Sequence, residues 1–183
     1  IDVKLGSNYI TAPMILPGVY EFATVAGSNY TILPATVFET ENLAAATSAG
    51  DTHQTLTNSA ASNFRSTRLN ANAASDFVAY TLTNVSAGTY QLRVVADCGA
   101  DRARFQLAAG PAGSVTNVGP VQDCYSATNL VYLLPTNTLT ATLLWTNLFR
   151  EFDCGQWIAP TNGNYEFRCT VTGKNAASSG YML

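Results

Sequence analysis

Turn-forming residues interrupt this chain about every 8–12 positions, and no apolar pattern between them holds the 3.6-residue period of a helix. Short runs between Gly, Pro, Asn and Ser clusters read as strands, because a residue of alternating apolar character fits a half-buried pleat. Such strands are expected at Gly18–Val25, Val37–Glu41, Asp76–Leu82, Thr89–Ala96, Ala103–Leu107 and Tyr165–Val171, with a polar loop through Asp51, His53 and Asn58. Asn162-Gly163 supplies a hairpin turn before the last of these. Tyr165, Phe167, Cys169 and Val171 then share one face. The pattern predicts an all-β sandwich or barrel over residues 37–183, preceded by an extended N-terminal arm over residues 1–36. Within the arm, Gly6-Ser-Asn-Tyr9 recurs as Gly27-Ser-Asn-Tyr30, each followed by a short apolar run and a proline, Pro13 and Pro34.

Charged residues make up only 11% of the chain, and its net charge is −3. The nine Lys and Arg are scattered, so the sequence offers no basic stripe for nucleic acid. No apolar stretch reaches the roughly 18 residues that would span a membrane as a helix. A start at Ile1 fits removal of a leader, and we expect a secreted protein. Cys98, Cys124, Cys154 and Cys169 form no C-x-x-C pair and His53 is the sole histidine, so zinc is not expected. Two disulfides in an oxidising compartment are expected instead. Of the three connectivities open to four cysteines, Cys98–Cys124 and Cys154–Cys169 each close a local excursion between strands. Asn29 and Asn84 head glycosylation triplets.

Residues 129–149 carry no charge and are apolar on both faces. They read either as two buried core strands or as a hairpin laid on a neighbouring subunit, with Leu133, Leu134, Leu143, Leu144 and Trp145 as lateral contacts. The closing residues Gly180-Tyr-Met-Leu183 begin an apolar run that breaks off, whereas Ile1-Asp-Val-Lys-Leu5 is a strand with two-residue alternation. A sandwich lacking an edge strand leaves backbone groups unpaired. Ile1, Val3 and Leu5 are therefore candidate donors, and Tyr181 and Leu183 mark the acceptor.

Enzymatic constellations are not evident. No G-x-S-x-G occurs, His53 has only Asp51 close in sequence, and Glu151 with Asp153 has a spacing common to any strand. We expect a protein that is not an enzyme and requires no cofactor. Sugar binding needs exposed rings and a few hydrogen-bonding side chains. Tyr125 and Trp157, with Tyr132 and Trp145, could supply rings and Asn175 a polar partner.

Four stretches carry a family resemblance. They are Phe38-Glu-Thr-Glu-Asn-Leu43, Asp76–Leu82 with Ala87-Gly-Thr-Tyr90, Asn117-Val-Gly-Pro-Val-Gln-Asp-Cys-Tyr-Ser126, and Phe167–Leu183. Over roughly 38–183 the chain resembles jelly-roll domains of secreted bacterial proteins similar to family 6 carbohydrate-binding modules. In that family the Gly-Tyr-x-Leu segment runs on into a Phe/Ile-Asp-Tyr-Ile-x-Leu strand, a pattern that Ile1–Leu5 nearly supplies. The resemblance further implies a structural calcium at Glu39, Glu41 and Asp2; the alternative is that Glu39 and Glu41 are solvated. Two functions follow as expectations: a secreted structural subunit, polymerising head to tail with identical copies into an extracellular filament by N-terminal strand donation, or a lectin-like carbohydrate-binding module. In the second case the arm completes its own domain. A third arrangement makes these residues one repeat of a longer array.

Overall fold

The computed structural model describes residues 2–6, 8–10, 14–16, 19–20, 22–33, 36–58, 61–127, 131–132, 144–145 and 148–183. They fall into two units, Ile1–Phe38 and Glu39–Leu183.

The first unit is built from short antiparallel strands. β1 (Asp2–Leu5) lies between β2 (Asn8–Ile10) and β5 (Tyr30–Leu33), with Val3 opposite both Ile10 and Ile32. β3 (Met14–Leu16) pairs with β4 (Val19–Tyr20). Val3 is fully buried. Gly6 sits at φ +63° between β1 and β2, a left-handed conformation that glycine adopts without cost to a Cβ. The strand expected over Gly18–Val25 extends only to Tyr20. Beyond it the chain turns, held by the Val25 N–H donating to Tyr30 Oη at 2.6 Å.

The second unit is an all-β sandwich of the jelly-roll kind. In chain order its strands are β6 (Ala45–Thr47), β7 (His53–Thr57), β8 (Arg65–Leu69), β9 (Phe77–Val85), β10 (Gly88–Cys98), β11 (Ala103–Gly110) and β12 (Thr116–Asp123). β13 (Val131–Tyr132), β14 (Leu144–Trp145), β15 (Leu148–Ala159) and β16 (Gly163–Lys174) complete the set. One layer is a five-stranded antiparallel sheet in the order β12-β11-β16-β9-β6. Facing it are two separate antiparallel pairs, β7–β8 and β10–β15.

Side chains pointing between the layers make a core of three clusters. Phe105 and Leu107 of β11 meet Leu92, Val94 and Ala96 of β10 and Phe152 of β15; the Phe105 and Phe152 rings stand edge to face at 5.8 Å. Leu69 of β8 packs with Val78, Ala103 and Val171. Trp157 packs with Tyr165, Phe167 and Tyr90. Burying a side chain such as Phe105, Leu69 or Val171 contributes roughly 1.5–3 kcal/mol. The inward row read from sequence on β16 is the row that fills this space, with Tyr165 and Val171 buried.

One glycine decides how closely the layers approach. Gly119 on β12 has φ +64°, and a Cβ there would overlap the Cys154 carbonyl oxygen on β15 and lie 2.6 Å from its carbon. Gln106, itself buried, donates through Nε2 to the carbonyls of Val118 (2.9 Å) and Gly119 (3.1 Å), pinning this bend. Gln122 Nε2 donates to the Asp153 carbonyl at 3.0 Å, joining β12 to β15.

Two sequence expectations give way. The loop expected through Asp51, His53 and Asn58 contains β7, whose Thr- and Gln-rich pattern hides a strand; Leu56 is its only aliphatic residue. The strand expected at Val37–Glu41 is replaced by a 3₁₀ turn over Thr40–Asn42, closed by the N–H groups of Asn42 and Leu43 on the carbonyls of Glu39 and Thr40. Of the 129–149 stretch, Val131 pairs with Trp145 and Tyr132 with Leu144. Ile1, Leu133, Leu134 and Leu143 lie outside the described residues.

Candidate functional site

At one end of the sandwich, β12 finishes at Asp123, β11 begins beside it, and the chain leaves β16 past Lys174. Three elements thus converge on the Asp123 carboxylate. Arg104 Nε donates to Oδ2 at 3.0 Å and Asn175 Nδ2 to the same oxygen at 2.9 Å. The backbone N–H of Tyr125 donates to Oδ1 at 3.0 Å. Burial pushes this carboxyl up, but the bonds from Asn175, the Tyr125 backbone and Arg104 together outweigh it and hold Asp123 below its ordinary value. It is therefore an ionised acceptor at neutral pH. The Arg104 and Asp123 side chains retain 44% and 34% of their exposure, so solvent or a ligand can reach them.

The loop from β10 to β11 closes the same end. The Gly99 N–H donates to the Cys124 carbonyl at 3.0 Å and the Ser126 N–H to the Gly99 carbonyl at 3.1 Å. Here Arg102 bridges Asp97 and Asp101, at 2.6 Å each. A cavity of about 330 Å³ is lined by Asp97, Cys98, Gly99, Ala100, Asp101, Arg102 and Ser179. Burial raises the Asp97 carboxyl, against the opposing pull of Arg102. This end of the fold therefore presents fixed carboxylates, guanidinium groups, an amide and the half-buried Tyr125. Such groups hydrogen-bond hydroxyls.

Of the sugar-binding candidates read from sequence, Tyr125 and Asn175 come together here through Asp123. Trp157 does not join them. It is buried in the core, with the rings of Tyr165 and Phe167 at 4.9 and 5.2 Å, so its faces are already covered. Tyr132 and Trp145 fall in the described backbone of β13 and β14. Asp123 and Arg104 were not singled out from sequence. The only hint of Asp123 is its place two residues before Tyr125, where an Asx-type bond to backbone is common.

Glu39 and Glu41 do not share a strand face. Glu39 precedes the 3₁₀ turn and accepts from Ser62 Oγ at 2.8 Å, while Glu41 lies within the turn. Glu41 Oε1 is buried without a hydrogen-bond partner. Asp2 belongs to β1 of the first unit. Calcium takes six to eight oxygens, and among the described residues no three His, Cys, Asp or Glu side chains meet.

All four cysteines are thiols gathered in or beside one core cluster, with Cys98, Cys124 and Cys154 buried and Cys169 packed against them. Cys124 donates to the Cys98 sulfur, which draws Cys98 down and pushes Cys124 up. Burial pushes Cys154 and Cys169 up to about 12. Asn29 and Asn84 are exposed. Tyr181 and Leu183 pack on the Leu69 cluster.

The chain is similar to a xanthan lyase from Paenibacillus, with 28% sequence identity and a TM-score of 0.63. The match covers 90% of this chain and 14% of the lyase chain, so this chain spans about one seventh of that protein's length. No protein-family model matches, and no curated protein matches. The likeness agrees with the carbohydrate-binding-like β-domain expected from the four sequence stretches.

Proposed function

We propose that this chain is a non-catalytic carbohydrate-binding domain of a larger secreted protein that handles polysaccharide. The observation that carries this is the Asp123 carboxylate, fixed by Arg104, Asn175 and the backbone of the half-buried Tyr125. Asp123 would accept from sugar hydroxyls, Arg104 and Asn175 would donate to them, and the Tyr125 ring would cover an apolar C–H face. The likeness to a polysaccharide lyase supports the substrate class. Secretion is supported by the low charge content.

Calorimetric titration with xanthan and with neutral β-glucans tests the reading. Binding is expected, and Tyr125→Ala and Asn175→Ala should each weaken it about tenfold, equivalent to about 1.4 kcal/mol, without altering the melting temperature. Polymer viscosity should stay constant during incubation. Absence of binding to every polysaccharide tried, or binding untouched by both substitutions, refutes the site; falling viscosity refutes the non-catalytic assignment.

A further inference from the structure

Cys98 ends β10, and Cys124 directly follows β12. Gly99 and Tyr125 form a parallel bridge, so the two cysteines that precede them stand side by side on adjoining segments. Neighbouring strands lie about 4.7–4.9 Å apart, and a disulfide spans Cα separations of roughly 4.4–6.8 Å. Both side chains are buried in the Phe105 cluster, at 2% and 0% exposure, and so point to the same side. The Cys124 S–H already donates to the Cys98 sulfur.

The two thiols are not equivalent. The hydrogen bond from Cys124 draws the Cys98 thiol down against its burial; Arg150 and Arg102 add to this and Asp97 opposes it. Cys124 is pushed up in turn. Cys98 also lines the cavity of about 330 Å³ beside Asp97 and Arg102, so a small reagent entering there meets Cys98 first. The thiolate is the attacking species in sulfur exchange, which makes Cys98 the nucleophile and Cys124 the resolving thiol. Both belong to the candidate site. Cys124 lies between Asp123 and Tyr125, and Cys98 between Asp97 and Gly99. Two backbone bonds join these segments: the Gly99 N–H to the Cys124 carbonyl at 3.0 Å, and the Ser126 N–H to the Gly99 carbonyl at 3.1 Å.

We propose that Cys98 and Cys124 are a redox-active dithiol whose disulfide staples the 123–126 segment to the 97–102 loop and thereby tightens the sugar site. The effect on sugar rests on the carbohydrate-binding reading; the disulfide and the staple do not. The oxidant is a small-molecule disulfide, RSSR, of the glutathione class. Cys98 gives up its proton, and its thiolate attacks one sulfur of RSSR, expelling RS⁻ and leaving a mixed disulfide on Cys98. Cys124 then gives up its proton and attacks the Cys98 sulfur, forming the Cys98–Cys124 bond and expelling the second RS⁻. The two leaving thiolates take up the two protons, so two protein thiols are oxidised and one RSSR is reduced to two RSH. A covalent link in place of two backbone bonds removes loop freedom that a bound sugar would otherwise have to freeze.

Incubation of the folded full chain in glutathione redox buffers, followed by alkylation and peptide mass mapping, tests it. A cross-linked Cys98–Cys124 peptide is expected. Cys124→Ser should stop at the first step and accumulate glutathione on Cys98, whereas Cys98→Ser should take up none at Cys124. Oxidation should slow hydrogen exchange at the Gly99 and Ser126 amides about tenfold, and should raise affinity for xanthan or a neutral β-glucan about fivefold. Reduction should reverse both. If the serine variants fail to fold, mapping and exchange on the wild-type chain decide the matter. Cys98 and Cys124 remaining unpaired with each other in oxidising buffer overturns the proposal, as does a bridge that leaves both amides exchanging as before. A bridge that slows exchange but leaves affinity unchanged overturns the effect on sugar. Binding absent in both redox states refutes the carbohydrate reading alone, and amide exchange still decides the staple.

Discussion

Gly119→Ala should be among the most damaging single-methyl additions in this protein. The residue sits at φ +64°, where an alanine costs about 1–2 kcal/mol relative to glycine. The added Cβ also overlaps the Cys154 carbonyl, so β12 and β15 must separate. Separation weakens the Gln122 bond to the Asp153 carbonyl and the Gln106 bond to the Gly119 carbonyl, at about 1 kcal/mol each. The sum is about 3–4 kcal/mol, a large part of the 5–15 kcal/mol that typically holds a domain together. Gly113→Ala is the internal control, because Gly113 has φ +76° with nothing within 4 Å of the added carbon. It should cost only the conformational part, about 1–2 kcal/mol. Urea titration of both variants at equal slope gives the difference, expected near 2 kcal/mol and about 5 °C in melting temperature. Equal midpoints for the two variants would refute the steric argument.

Trp157→Ala should destabilise by about 3–5 kcal/mol through loss of a buried ring with no direct effect on sugar affinity, the converse of Tyr125→Ala; denaturation and titration on the same samples separate the two. If the cysteines are kept reduced, stability should fall as pH rises above 9, because folded Cys154 and Cys169 hold their protons up to about 12 while unfolded thiols lose them near 9.0. Oxidation to Cys98–Cys124 and Cys154–Cys169 bridges should remove that slope, and mass mapping of the oxidised protein would identify the pairs. Burial lowers the His53 pKa below 6.5, so the unfolded chain binds the extra proton and stability should decline as pH drops from 6.5 toward the folded value. His53→Gln should flatten that limb in melting curves.

The sandwich was legible where one face of a strand is buried and the other is wet, as on β16, whose inward row reads directly from its alternation. β15 was harder. Its register against β10 shifts between Leu92 and Arg93, and Gly155 at φ +93° breaks the two-residue period. β7 was hidden because its residues are polar on both faces. At the site, Tyr125 and Asn175 were identifiable by residue type. Their common partner was not, since Asn175 and Asp123 are separated by 52 positions and only the packing of β11 between β12 and β16 brings them together. Trp157 shows the reverse limit: an aromatic residue is equally suited to a platform and a core, and the facing rings decide which.

β16 threads all three core clusters. Tyr165 belongs to one end, Phe167 joins that end to the middle, Cys169 joins the middle to the far end, and Val171 closes it. No cluster can loosen without disturbing a neighbour through this row. The unit Glu39–Leu183 should accordingly melt in a single cooperative step, and paired substitutions at Tyr165 and Val171, though far apart along the strand, should show energetic coupling through the two residues between them.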